Sequence, residues 1–147
     1  GSEISAGVKN VFAENCVMDS PNLDRAIRIK TNSKRGGTIE DVFVRNIEVG
    51  QVKEAVLKVN MFYGIYGAQT GDFIPVVKNI SLENITVKNG GKFGILAKGY
   101  EESPISNITL KNVIIEKVEA PYSLENVKNL TFIDTYINGK LIENKIN

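Results

Sequence analysis

The chain has 147 residues, 42% of them hydrophobic, with 18 basic side chains against 17 acidic ones and a net charge of +1. A chain of that length forms one domain, residues 1–147, able to bury about two-thirds of its unfolded surface. The charge balance argues against nucleic acid as the main partner, and no apolar run nears the roughly 18 residues of a membrane span.

An eleven-residue cassette, clearest at 77–87 (VKNISLENITV), recurs at 8–18, 39–49, 105–115 and 127–137. The starts are 31, 38, 28 and 22 residues apart, spacings that belong to solenoids and arrays. In chain order, the first cassette follows directly on Gly1 to Gly7. That lead-in has no amphipathic helix or polar coil to cover a stack, so the solenoid is expected to lack an amino-terminal cap. Unpaired backbone and bare core are then expected at that end, from Val8, Val11 and Val17 with Ile27 and Ile29 beside them, and with them self-association. Cys16, the single cysteine, takes the place that Ile47, Ile85 and Val113 hold in other copies, and reads as a small core hydrophobe.

Within each cassette the apolar residues stand first, fourth, sixth, ninth and eleventh. Ile80-x-Leu82 and Ile85-x-Val87 each have the two-residue period of a half-buried strand, and Glu83-Asn84 between them shifts the phase. The shift predicts a corner at Asn15, Asn46, Asn84 and Asn112, since Asn tolerates the left-handed conformation. Stacked, these amides form a ladder closed by Asp134. The Asn-x-Ser/Thr tripeptides at Asn79, Asn84, Asn107 and Asn129 reflect this spacing rather than glycosylation.

After the first cassette comes a turn-rich loop flanked by Asp19 and Asp24, then a strand, Ile27-Arg28-Ile29-Lys30. Equivalent strands start at Leu57 and Ile95, each 18 residues after its cassette start, against 19 for Ile27. Three short strands per turn with no helical period predict an all-β, right-handed parallel β-helix of about five coils. With Ile27 and Ile29 inward, Arg28 and Lys30 face out. Register then places Lys58 beside Arg28, and Asn60 and Lys98 beside Lys30. Coils about 4.8 Å apart would carry these cations as a strip suited to an extended polyanion. The insertion at 61–76 adds Phe62, Tyr63, Tyr66 and Phe73, aromatic rings that either face a sugar or pin the loop. The coils shorten after Tyr122, and the chain closes at Asn147.

Several of these segments resemble the polygalacturonase-type glycoside hydrolases, the pectin-degrading parallel β-helices of family 28. Arg28-Ile29-Lys30 resembles the family's RIK motif, and the segment from Ser2 to Val11 resembles the stretch that follows its Gly-His-Gly motif. Val59 to Tyr63, Pro75 to Ile80 and Glu102 to Ile108 are similar to later coils of the bacterial and plant-like branch. The resemblance implies an acidic polysaccharide as partner, without cofactor or metal. It implies substrate binding by Arg28 and Lys30, to which we add Lys58, Asn60, Lys98 and Tyr63, and an extracellular or periplasmic parent enzyme whose export signal lies outside this chain.

The departures are equally informative. Inverting hydrolysis needs a carboxylic acid and a carboxylate about 6.5–9.5 Å apart across the bond. The family supplies them from Asn-Thr-Asp and Asp-Asp motifs with the Gly-His-Gly histidine, and this chain has none of these motifs and no His. Asp19 and Asp24 are the one carboxylate pair worth examining. The expectation is the carboxyl-terminal half of such an enzyme, inactive alone; the alternatives are a free-standing polyuronate-binding β-helix and, behind it, a purely structural repeat whose strip has no ligand.

Overall fold

The computed structural model describes residues 4–64, 71–142 and 145–146. The cassettes are long strands: β1 (Gly7–Met18), β3 (Thr38–Val49), β5 (Val76–Val87) and β7 (Ile105–Ile115). The fifth copy splits into β9 (Val127–Ile133) and β10 (Thr135–Ile137). Between cassettes run β2 (Arg25–Lys30), β4 (Ala55–Asn60), β6 (Gly91–Lys98) and β8 (Val118–Glu125). One sheet stacks β1, β3, β5 and β7, with β9 and β10 both on β7; the other stacks β2, β4, β6 and β8, and every one of these pairs is parallel. The result is a right-handed parallel β-helix, the hand that parallel crossovers adopt almost without exception.

The cassette differs from expectation in one respect. It is a single ladder bent at two left-handed residues, not two strands meeting at one corner. The expected column, Asn15, Asn46, Asn84, Asn112 and Asp134, has φ between 46° and 57°. A second column, Asn10, Asp41, Asn79, Asn107 and Asn129, has φ of 55° to 58°. Both columns are tied amide to amide: Asn84 Nδ2 donates to Asn46 Oδ1 at 3.1 Å and Asn112 Nδ2 to Asn84 Oδ1 at 2.8 Å, while Asn107 donates to Asn79 at 3.0 Å. A left-handed residue other than glycine costs about 1–2 kcal/mol. Asn offsets this by giving each coil one donor and one acceptor for its neighbours.

Side chains between the corners point alternately in and out, so the core is a set of apolar columns. Val42, Ile80, Ile108 and Leu130 form one; Val44, Leu82, Leu110 and Phe132 form another. Cys16 joins the core at the level of Ile47, as expected. Val17 does not: it pairs with Glu48, an outward position, and stands in solvent. The polar Thr135 enters the core column of Cys16 and Ile47, where its hydroxyl donates to the carbonyls of Leu110 (3.2 Å) and Ile133 (3.0 Å).

The two ends differ. After β10 the chain reverses into β11 (Lys140–Ile142), antiparallel to β10, and β12 (Lys145–Ile146) runs antiparallel to β9. Ile142 and Ile146 pack on the core there. At the other end β1 and β2 each have one strand neighbour, and their outer edges meet no strand among the described residues. Behind that edge opens a hollow of about 340 Å³ lined by Val8, Val11, Ala13, Ile27, Ile29 and Val42.

Candidate functional site

The site is built on the outward face of the second sheet, where β2 meets the loop leaving β4. Register is as the sequence suggests: Arg28 pairs with Lys58, Lys30 with Asn60, and Asn60 with Lys98. Neither column carries a further cation, since Leu96 and then Ser123 follow Lys58, and Glu125 follows Lys98.

The charges along this face are unequally available. Lys58 Nζ lies 2.6 Å from Glu54 Oε1, and Arg25 Nε bonds the other oxygen of the same carboxylate. Burial pushes the Glu54 carboxyl upward, but the bonds from Lys58 and Arg25 outweigh it and hold the group below its ordinary 4.5. Lys98 Nζ lies 3.1 Å from Glu125, an exposed pair of little energetic weight. It also sits 5.0 Å from the Phe62 ring centre. Arg28 and Lys30 have no carboxylate within ion-pair distance among the described residues. Both lie over the ring of Tyr63 instead, Arg28 Cζ at 5.1 Å and Lys30 Nζ at 4.1 Å from its centre.

A short buried polar segment holds Tyr63 there. Tyr63 N–H donates to Thr31 O at 3.0 Å, and Asn32 Nδ2 donates to Tyr63 O at 2.9 Å. The other end of the Asn32 amide accepts from the backbone of Lys34 and Arg35, closing the turn after β2. Ser33 then fixes the far side of the insertion: its hydroxyl accepts from Gly71 N–H at 2.9 Å and its carbonyl from Phe73 N–H at 3.0 Å. A side chain at Gly71 would run into the Ser33 backbone. Asn60 accepts from Phe62 N–H at 2.9 Å, starting the same loop. Sequence reading passed over Thr31-Asn32-Ser33; three polar residues directly after the basic strand were the available signal.

The other aromatics divide by role. Phe62 packs at a tilt against buried Tyr100, ring centres 4.1 Å apart, and pins the loop to the next coil. Phe73 stands in solvent beside Gly36. Tyr66 lies outside the described residues. Asp24 faces Arg25 at 3.5 Å, whereas Asp19 sits against Gly50 and borders Glu48 and Lys88, so the two carboxylates occupy different surroundings. Among the described residues no three His, Cys, Asp or Glu side chains gather as a cation site, and no helix is long and apolar enough to cross a membrane.

Residues 1–135 match the model of glycosyl hydrolases family 28. The chain belongs to that family. Similar proteins include a probable polygalacturonase of Vitis vinifera, 28% identical over 89% of this chain and 27% of its own length. A polygalacturonase of Ralstonia solanacearum is 26% identical over 79% of this chain and 23% of its length. The crystal structure of a hyperthermoactive exopolygalacturonase from Thermotoga maritima superposes with a TM-score of 0.87 and 34% identity, covering 99% of this chain and 32% of that one. The chain thus spans about a quarter to a third of the length of the proteins it matches.

Proposed function

We propose that this chain is the substrate-binding portion of a polygalacturonase-like glycoside hydrolase, contacting polygalacturonate through Arg28 and Lys30. The observation that carries this reading is the pair of cations on one Tyr63 ring, with no carboxylate of the described chain within ion-pair reach. Outward residues two apart on a strand are about 7 Å from each other. Two cations so placed repel, and an anion between them relieves the repulsion. The planar guanidinium of Arg28 can engage both oxygens of a uronate, while Lys30 adds a point charge. Tyr63 keeps both heads in place and offers the edge of a ring beside the sugar. Asn60 and Lys98 extend the contact by one and two coils, Lys98 by exchanging its weak bond to Glu125 for a substrate carboxylate; Lys58, committed to Glu54, sets local charge.

The chain supplies binding and no acid–base pair of its own, so it is inactive alone. Support comes from the absence of His and of Asp-Asp or Asn-Thr-Asp in the sequence, and from the separate settings of Asp19 and Asp24. Because pectin lies outside the cell, the parent enzyme would act there or in the periplasm. The test is reducing-end release from polygalacturonate measured against a boiled control, together with titration of trigalacturonate. Saturable millimolar binding that weakens in Arg28→Ala and Lys30→Ala, without hydrolysis, is the expected result. Hydrolysis abolished by Asp19→Asn or Asp24→Asn would overturn it, as would equal binding of a neutral glucan.

A further inference from the structure

A second feature lies on the cassette sheet, away from the basic strip. Outward residues at the fifth place of each cassette form a column of Phe12, Phe43, Ser81 and Thr109. The Phe12 and Phe43 rings stack with centres 5.1 Å apart and planes 18° from parallel. Phe12 is 62% exposed and Phe43 38%, so the pair is a solvent-facing platform and no part of the core. One ring per coil stands in the first two coils, and the third coil puts a serine where the third ring would be. That leaves a hollow of about 260 Å³, bordered by Phe12, Phe43, Arg45, Ser81 and Glu83. Its size falls short of the roughly 300 Å³ at which drug-sized pockets begin, and suits a single ring.

The chemistry of the rim selects among rings. The Ser81 hydroxyl has no hydrogen-bond partner among the described residues, and Arg45 and Glu83 stand at the edge. Arg45 Nε is 2.6 Å from Glu14 and Glu83 is 2.9 Å from Lys111 Nζ, so the charges at the rim sum to zero. Lys111 is accordingly held above its ordinary 10.5 by its bond to Glu83. A flat apolar face bordered by paired polar groups and a free hydroxyl has no surplus charge to attract a uronate. It also offers hydrogen bonds that an aromatic side chain would leave unmet. We infer that the face of Phe43 over Ser81 is a binding site for a neutral pyranose sugar, stacked on the ring with its hydroxyls toward Ser81, Arg45 and Glu83. This site is independent of Arg28 and Lys30 and of the function proposed for them.

The experiment is an NMR titration of the chain with galactotetraose, following the Phe43 ring and the Ser81 amide. Saturable shifts at both are expected. Phe43→Ala should weaken binding about tenfold or more. Ser81→Phe, which extends the aromatic stack into the hollow, should abolish it while the melting temperature holds. Arg28→Ala should leave it unchanged. The inference falls if galactotetraose gives no saturable shift, if trigalacturonate binds there equally well, if N-acetyltyrosinamide binds and the sugar does not, or if Ser81→Phe retains full sugar affinity.

Discussion

The first coil and the third are built from the same cassette, yet their equivalent residues live in different environments. Val11 is 37% exposed and its counterpart two coils along, Ile80, is 1% exposed. Nothing in the local pattern differs. What differs is the number of neighbouring coils among the described residues, one against two, so burial belongs to the stack and not to the residue. The strongest test deletes volume at matched positions. Ile80→Ala should cost about 2–5 kcal/mol, the range for emptying a filled core site, while Val11→Ala should cost a small fraction of that. Equal losses in urea unfolding would show that the first coil is packed as tightly as the third.

The ladders sharpen the comparison at smaller magnitude. Asn84 is bonded to coils on both sides, whereas Asn15 accepts one bond from Asn46 and donates to no described residue. Asn84→Ala removes two amide bonds and leaves alanine in a left-handed conformation, for an expected loss of about 2–3 kcal/mol. Asn15→Ala should lose roughly half as much, and thermal melts of the two variants decide.

A third test concerns the electrostatic tie between the first two coils, Arg25 to Glu54. The Glu54 carboxyl titrates below 4.5 in the folded chain, so its contribution is fully present above that value and fades as pH falls through the lower folded value. Glu54→Gln should remove about 1–2 kcal/mol at neutral pH. It should also flatten the acid side of the stability curve. An unchanged acid limb would mean that the tie carries no stability. The smallest effect on folding, yet a clear one on assembly, is expected from Val11→Lys. Light scattering over a concentration series should show the unsubstituted chain associating and the variant less so; a concentration-independent monomer in both would dismiss the open edge as an association surface.

Much of this was legible in the residues. Ile80-x-Leu82 and Ile85-x-Val87 announce strands because alternation is a local property of the backbone, and Asn84 marks a corner because few side chains accept that conformation. The second corner column is equally legible, since Lys78-Asn79 is a polar doublet like Glu83-Asn84. Val17 was misplaced although it stands tenth in its cassette, the outward place that Glu48 and Thr86 hold in later copies. The site was legible as positions and not as availability. That Lys58 is committed to Glu54 while Arg28 is not depends on where a side chain preceding β4 reaches, and the setting of Tyr63 depends on an amide, Asn32, thirty-one residues earlier.

The reversal of the chain at β11 and β12 has a consequence for symmetry. A solenoid with two bare ends can add copies head to tail without limit, the route to fibres. Here the last coil folds β11 back on β10 and lays β12 on β9, while β8 keeps one strand neighbour among the described residues. Association through the β1 edge alone would be like-to-like about a two-fold axis, so the outcome expected in the light-scattering series is a dimer that grows no further.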